Sequence, residues 1–151
     1  MGLRQIRKEG DSILRKKCRE VTEVNDRIRD LLDDLTETMR DVKGVGLAAP
    51  QVGILRRVVV VEVDDQLYEL VNPVVIETEG DQFEEEACLS CPGKQGSVHR
   101  PAYVKVKALD RNGKEVVYEG EELLARAFCH EIDHLDGILY IDKAEEVEEL
   151  E

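Results

Sequence analysis

The segment His130-Glu131-Ile132-Asp133-His134 carries the strongest chemical signal in the chain. Residues four apart lie on the same face of a helix, so the two imidazoles can bind one metal ion. Glu131 follows the first of them and can take a proton from a water molecule at that metal. Two of the three histidines of the chain fall in this segment. The pattern therefore predicts a metal-dependent hydrolase, and the alternative is an exposed helical turn of mixed polar residues.

A third protein ligand is needed, because a catalytic zinc or iron site combines three protein ligands with an open position for water. The candidates are Cys88, Cys91, Cys129 and His99. Cys129 precedes His130 on the same helix, so its side chain points about 100° away and we expect a small buried residue. Cys88 lies in a predicted loop at 85–93, whose Pro-Gly ending indicates a fixed turn that presents the thiolate. We expect His99 to lie at the surface.

Cys88 and Cys91 also form a Cys-x-x-Cys pair. Together with His130 and His134 they would make a closed Cys₂His₂ zinc site, which has a structural and non-catalytic role. The 38 residues between Cys91 and His130 exceed the spacing of a compact zinc finger, and a closed site leaves Glu131 without a purpose. The residues alone favour the open site and leave the closed one as an alternative, together with a metallo-amidase or peptidase of another kind.

Composition and charge restrict the class of protein. The 151 residues contain no repeat or linker, which predicts a single catalytic domain over 1–151. We expect a cytoplasmic protein with no membrane partner, because there is no long apolar run and no secretory signal. A net charge of -13 argues against nucleic-acid binding. Residues 1–20 are basic and could dock on an anionic partner, whereas residues 138–151 are expected to form a frayed acidic tail.

Hydrophobic periodicity predicts where the helices lie. Asp11 can cap a short helix at 12–15, and Asn25 can cap a longer one. The apolar positions of the longer helix recur at helical spacing and should face a core: Ile28, Leu31, Leu32, Leu35 and Met39. A final helix at about 121–135, closed by Gly137, carries the histidines.

Strands are predicted between these helices, at 57–63, 67–71, 74–78, 104–109 and 114–118. Asn112-Gly113 should form the hairpin turn between the last two. Residues 44–53 are rich in glycine and small side chains, and they show no helical stripe. We therefore expect an α+β fold in which mostly antiparallel sheets pack around a C-terminal metal-binding helix, with another helix near the N-terminus.

Three segments together resemble the peptide deformylase family. The family patterns are Gly-x-Gly-Leu-Ala-Ala-x-Gln, Glu-Gly-Cys-Leu-Ser and His-Glu-x-Asp-His. Here residues 44–51 read Gly-Val-Gly-Leu-Ala-Ala-Pro-Gln, residues 86–90 read Glu-Ala-Cys-Leu-Ser, and residues 130–134 read His-Glu-Ile-Asp-His. All three occur in the family's order and spacing, and the similarity extends from residue 11 to residue 137. The resemblance favours the open site over the closed one.

The resemblance implies removal of the formyl group from the N-terminal formyl-methionine of newly made polypeptides, with release of formate. It implies that Cys88, His130 and His134 hold one divalent metal ion. Fe²⁺ is expected, and Zn²⁺, Ni²⁺ or Co²⁺ can substitute. The implied partners are formyl-methionyl nascent peptides, and a contact with the ribosome would fit this role.

The resemblance also assigns the remaining roles. Glu131 transfers the proton, and the Gln51 side chain and the Leu89 backbone N–H stabilise the developing oxyanion. The substrate-binding candidates are Val45, Gly46, Ala87 and Ala127, with Phe83 or Phe128 as further pocket candidates. The peptide would be held in extended form, as an added strand. Glu86 and Arg100 could pair and brace the segment around Cys88.

The chain departs from the family pattern at three positions. Ala87 replaces a Gly, which is tolerated where the backbone φ is negative and costs stability where φ is positive. Cys91 replaces an aliphatic residue and adds a group that can be oxidised beside the centre. Cys129 replaces a Gln.

Overall fold

The computed structural model describes residues 2–150, and these contain two α-helices and eight strands. The helices are α1 (Asp26–Asp41) and α2 (Glu122–His134). The strands are β1 (Gly46–Ala48), β2 (Val58–Val63), β3 (Gln66–Glu79), β4 (Gln82–Cys88), β5 (Cys91–Arg100), β6 (Tyr103–Leu109), β7 (Glu115–Glu121) and β8 (Val147–Glu149). Short 3₁₀ turns lie at Ser12–Arg15, Ala49–Val52 and Tyr140–Asp142. Met1 and Glu151, which the predicted domain includes, lie outside the described residues.

The strands form two antiparallel sheets. One has five strands in the order β1-β2-β3-β6-β7, and the other has three in the order β4-β5-β8. The expected α+β fold is therefore confirmed. Neither helix among residues 2–150 has the length and apolarity that a membrane crossing requires. That residues 1–151 form one catalytic domain stays a prediction.

Strand β2 joins the two main hydrophobic clusters. Its first four residues are valines that are fully buried, and successive side chains of a strand point to opposite faces. Val59 and Val61 pack in the cluster that contains Phe128 of α2. Val58 and Val60 pack in the cluster formed with α1. The five-stranded sheet is thus covered on both faces at this point, and α2 is held against it.

Helix α1 forms as the sequence predicts. The side chain of its cap residue Asn25 accepts a hydrogen bond of 3.2 Å from the Ile28 backbone N–H. All five residues of the predicted apolar stripe are buried. Burial of one such side chain contributes roughly 1.5–3 kcal/mol, so the stripe anchors the helix to the sheet.

One strand prediction and one loop prediction are corrected. Strand β3 runs without a break from Gln66 to Glu79, where two strands were predicted. A register shift between Val71 and Val74 absorbs the Asn72-Pro73 interruption, with Asn72 at φ 53. The predicted loop at 85–93 is instead the end of β4, a two-residue turn and the start of β5.

The prediction of a frayed acidic tail is wrong for the described part of that segment. Strand β8 pairs with β5. Ahead of it, the Glu145 backbone N–H donates to the Ser97 carbonyl over 3.0 Å. The imidazole of His99 lies between carboxylates of Asp81 and Glu145, at 3.0 and 2.8 Å. The acidic segment is held in place because β8 pairs with the edge of β5 and Glu145 contacts the His99 imidazole.

Candidate active site

Helix α2 places its two histidines on the buried side. The His130 and His134 side chains follow each other by one turn, with ring centroids 5.1 Å apart. The chain turns away at Gly137, which has φ 75 and lies so close to Arg15 that a Cβ would sit 2.5 Å from the Arg15 carbonyl oxygen. Only glycine fits there without displacing backbone, so the predicted helix stop is confirmed.

The hairpin of β4 and β5 brings Cys88 to these histidines. Its Sγ atom lies 3.4 Å from Nε2 of His134. One ligand atom from each of Cys88, His130 and His134 lies within 4.8 Å of the others. Cys91 does not belong to this cluster in the described part of the chain. The structure thus groups three ligands, as the open site requires, rather than the four of the Cys₂His₂ alternative.

The donor set fits a divalent metal ion. Nδ1 of His130 is engaged by Glu86 at 2.8 Å, which leaves Nε2 as the atom that faces the cluster. A carboxylate on the remote nitrogen of a histidine is the usual support of a metal ligand. Burial lowers the pKa of His134 well below its ordinary value, so this imidazole is neutral, as a ligand must be. A thiolate and two imidazoles suit zinc, iron or nickel.

Glu86 is the centre of a buried ionic network. Its carboxylate accepts hydrogen bonds from Arg100 at 2.9 and 3.0 Å, and also from Nη1 of Arg126. Burial alone would raise the pKa of Glu86, but the hydrogen bonds from His130 and Arg100 outweigh it and lower the pKa to about 2. The carboxylate is therefore charged. The predicted Glu86–Arg100 pair is confirmed.

The sequence interpretation missed Arg126 as a partner of this network. Its Nη2 donates to the Val98 carbonyl over 3.0 Å, which fixes the guanidinium beside Glu86. Arg126 lies four residues before His130, and its side chain is buried. A charged residue on the apolar side of a helix is the signal that would have found it, because such a charge needs a buried partner.

Glu131 lies beside the ligands with part of its carboxylate unengaged. Its Oε1 atom is buried and has no hydrogen-bond partner among the described residues. Burial raises the pKa of Glu131 to about 7. A Cβ at Gly46 would lie 2.7 Å from both Cγ and Oε2 of this side chain. The absent side chain at Gly46 therefore makes the room that Glu131 occupies.

Gln51 is locked behind Cys88. Its side-chain oxygen accepts a hydrogen bond of 2.9 Å from the Ala48 backbone N–H. Its amide nitrogen lies 3.1 Å from Oγ of Ser90 and 3.6 Å from Sγ of Cys88. Since the side chain is only 1% exposed, it is not a solvated loop amide. The Gly-Ala segment before it thus brings an amide donor to the thiolate.

A short N-terminal arm, defined here as residues 7–9, ties this donor to the hairpin turn. The Arg7 backbone N–H donates to the Gln51 carbonyl over 2.7 Å. Two residues later, the Glu9 backbone N–H donates to the Ser90 carbonyl over 2.6 Å. The arm therefore spans the gap between the Gln51 segment and the turn that follows Cys88.

A cavity of about 370 Å³ lies in front of these groups. Its lining includes the metal ligands Cys88 and His130, with Glu131, Gln51 and Leu89, and all four predicted substrate-binding residues, Val45, Gly46, Ala87 and Ala127. Ala87 lies in β4 and is not among the non-glycine residues of 2–150 with positive φ, so its Cβ costs no backbone strain.

Other predicted side chains lie elsewhere. Phe128 is fully buried in the core, where it meets Tyr68 edge to face, and Phe83 is 44% exposed and stacks on His99. Neither lines the cavity. Cys129, which was predicted to be buried, packs against the core but is only half-buried. His99 is at the surface, as predicted.

The α+β domain, with a cysteine and two helical histidines beside a cavity, has the site of a metal-dependent hydrolase. A family model described as polypeptide deformylase matches residues 3–149. A peptide deformylase of Acetivibrio thermocellus is 58% identical over 143 residues, covering 95% of this chain and 84% of that protein. Peptide deformylase 1 of Clostridium acetobutylicum is 53% identical over 148 residues, covering 98% of this chain and 99% of that protein.

Solved structures agree with these relatives. The crystal structure of peptide deformylase from Thermotoga maritima superposes with a TM-score of 0.92 at 38% identity, covering 95% of this chain and 99% of that chain. The chain belongs to the polypeptide deformylase family, and its reaction is hydrolysis of the formyl group from an N-terminal methionine. The family resemblance found in the sequence is confirmed.

Proposed function

We propose that this protein hydrolyses the formamide bond of formyl-methionyl peptides at the centre formed by Cys88, His130 and His134. The products are formate and a peptide with a free methionine amine. The observation that carries the proposal is the three-ligand cluster, which meets a cavity beside Glu131. Three ligands leave a position for the reacting groups, which a closed four-ligand site would not.

The cofactor in this proposal is one divalent metal ion. Fe²⁺ is the expected ion, and Zn²⁺, Ni²⁺ or Co²⁺ can substitute. When bound, such an ion lowers the pKa of water and polarises the formyl oxygen. Cys88 supplies a negative ligand, and the two imidazoles supply neutral ones. Glu86 holds the His130 ring in the orientation that directs Nε2 to the ion.

Glu131 is the acid-base residue. It takes a proton from the attacking water as the water oxygen bonds to the formyl carbon, and it gives that proton to the methionine nitrogen as the carbon–nitrogen bond breaks. The pKa of about 7 suits both steps, because the group can hold or release a proton near neutral pH. Its buried, unpartnered oxygen supports this role.

The Gln51 amide and the Leu89 backbone N–H donate to the oxygen that becomes negative when the formyl carbon is attacked. Gln51 is suited to this because its carbonyl oxygen is fixed by Ala48, which orients the NH₂ group toward Cys88. Fixed donors stabilise a developing charge without reorganising.

The Val45 and Gly46 backbone and residue Ala87, which all line the cavity, hold the peptide in extended form. Ala127 and Val45 contribute apolar surface for the methionine side chain, in line with the mainly apolar side chains of ligand sites. The nascent chain is the partner in this proposal. The basic segment at 1–20 is the candidate for a ribosome contact, because it offers positive charge to an anionic surface.

The test is formate release from formyl-Met-Ala-Ser by protein prepared without oxygen and loaded with Fe²⁺. The parent and the Cys18→Ala control, whose cysteine lies in the core away from the ligands, should release formate. Cys88→Ala should not. Absence of release from the folded, metal-bearing parent would overturn the proposal. Cleavage of an internal peptide bond, with formyl peptides untouched, would assign the centre to a peptidase instead.

A further inference from the structure

Cys91 is unused in the proposed reaction, and the fold places it directly opposite the metal ligand Cys88. Cys88 ends β4, Cys91 begins β5, and the two are paired across the hairpin with a two-residue turn between them. Paired residues of antiparallel strands have Cα atoms roughly 4.5–5.5 Å apart. A disulfide needs about 4.4–6.8 Å. The spacing typical of such a pair therefore lies within the range that a disulfide needs.

The two side chains also point the same way. Both cysteines are buried in one small cluster with Leu14, Val98 and Tyr140. Cys18 lies in another cluster and Cys129 packs against it, so neither shares the surroundings of this pair. Among the described residues, Cys91 is therefore the cysteine that is placed to form a disulfide with Cys88.

Access differs between the two sulfurs. Cys88 lines the cavity, and Cys91 is 1% exposed and does not line it. A small oxidant that enters the cavity meets Cys88 first. This order defines an attacked cysteine and a resolving cysteine, which is the arrangement of a reversible thiol pair rather than of two independent thiols.

We propose that Cys88 and Cys91 form a reversible disulfide site whose oxidant is a peroxide. The Cys88 thiolate attacks one peroxide oxygen, the oxygen–oxygen bond breaks, and Cys88 becomes a sulfenic acid. The Cys91 sulfur then attacks the Cys88 sulfur and releases water. In sum, two thiols and one hydrogen peroxide give one disulfide and two waters, and a dithiol reductant reverses the change.

The disulfide removes one of the three metal ligands. This step rests on the proposed metal-binding role of Cys88. Once the Cys88 sulfur is bonded to the Cys91 sulfur, only the His130 and His134 imidazoles remain as ligands, and the ion is released. Without Cys91, the sulfenic acid has no resolving thiol at hand and is oxidised further to sulfinic and sulfonic acids, which thiols do not reduce. Cys91 thus protects the centre by making its oxidation reversible.

The test treats Zn²⁺-loaded holoprotein with hydrogen peroxide, because zinc itself has no redox chemistry. The readouts are bound metal, free thiols and the mass of the peptides that contain residues 88 and 91. For the parent we expect oxidation of two of the four cysteines, loss of the metal, and a Cys88–Cys91 peptide lighter by two hydrogen atoms. Treatment with dithiothreitol followed by Zn²⁺ should restore the thiols, the bound metal and the original peptide mass.

The matched variant is Cys91→Val, with Cys91→Ser as a second choice that keeps the size of the side chain. Both should retain metal before treatment and gain oxygen atoms at Cys88 afterwards, without recovery by dithiothreitol. The inference is overturned if the parent carries sulfinic or sulfonic Cys88 beside a free Cys91, or if the variants recover as the parent does. None of these readouts measures deformylation. A parent that forms the disulfide but releases no formate would therefore contradict the proposed function and leave the disulfide site supported.

Discussion

The imidazole of His130 and the carboxylate of Glu86 are joined by a 2.8 Å contact between Nδ1 and Oε1, and this contact decides which ring nitrogen faces the other metal ligands. The same carboxylate accepts from Arg100 and Arg126, so all of its partners are buried with it. One acidic side chain on β4 therefore connects the hairpin, the helix and the metal site.

Glu86→Gln should weaken the centre in two ways. Metal affinity should fall about 10–100-fold, because the His130 ring loses its charged support. The free energy of unfolding should fall by about 3–5 kcal/mol, because two guanidiniums lose their buried countercharge. Chelator competition and urea unfolding measure the two effects.

The matched control is Glu69→Gln. Glu69 also accepts two hydrogen bonds from one arginine, Arg111, at 2.8 and 2.6 Å, but that arginine side chain is 36% exposed. Its loss should change unfolding by less than about 1 kcal/mol and leave metal affinity unchanged. Equal effects of the two substitutions would show that the buried network does not support His130.

Glu131→Gln should keep the metal and lose turnover. The side chain is not a ligand, so metal content should equal that of the parent, while loss of general acid-base catalysis should lower kcat about 10²–10⁴-fold. Metal analysis and formate release measure this, with the exposed Glu37→Gln on α1 as a control. Undiminished kcat would remove Glu131 from the proposed reaction.

Gly46→Ala tests whether the rate depends on the position of the Glu131 carboxylate as well as on its presence. The added Cβ would meet Glu131 at 2.7 Å, and the buried carboxylate must move. A displacement of about 1 Å at a reacting group costs on the order of 10²-fold in rate, so kcat should fall although Glu131 is still present. Gly2→Ala is the control, because no atom lies within 4 Å of the Cβ it would add. A normal rate for Gly46→Ala would show that Glu131 has freedom to adjust.

The contact of His99 with Asp81 and Glu145 should make the C-terminal strand sensitive to pH. The hydrogen bond to Asp81 is the main cause that raises the pKa of His99, with Glu145 acting in the same direction. A raised folded-state pKa stabilises the fold fully below the ordinary value of about 6.5, and the effect is lost as pH rises through the folded value.

Hydrogen-exchange protection of the Glu145 amide should therefore be higher at about pH 6 than at about pH 9, after correction for intrinsic exchange. His99→Gln should remove this difference and leave the protection of Leu32 in α1 unaltered. A pH dependence that persists in the variant would place its origin elsewhere in the chain.

The helices and their ligands could be predicted because they follow from local rules. The apolar stripe of α1 has a 3.6-residue period, and Asn25 caps the helix. His130 and His134 are four residues apart, which places them on one face of a helix. The β4–β5 hairpin gives no such pattern. Its second strand contains Pro92, Gly93 and Gly96, which are poor strand residues, and Gly93 has a positive φ of 78. The strand is defined by its pairing with β4 and with β8, which follows much later in the chain.

Contacts between residues that are distant in sequence could not be predicted from local sequence patterns. The Arg126–Glu86 contact joins residues 40 positions apart, and a contact of that kind depends on how α2 crosses the hairpin. The continuity of β3 has the same origin. Asn72 and Pro73 read as a strand end, but the Asn72 side chain bonds to both backbone groups of Val21 and the strand continues beyond.

The N-terminal arm at residues 7–9 gives the site a built-in reporter. The amides of Arg7 and Glu9 donate to carbonyls on two separate elements, and neither amide is part of the cavity lining. Any relative displacement of Gln51 and Ser90 must lengthen one of these bonds or drag the arm along. The nitrogen–proton resonances of these two residues would therefore register ligand binding by spectroscopy, from positions that no ligand touches.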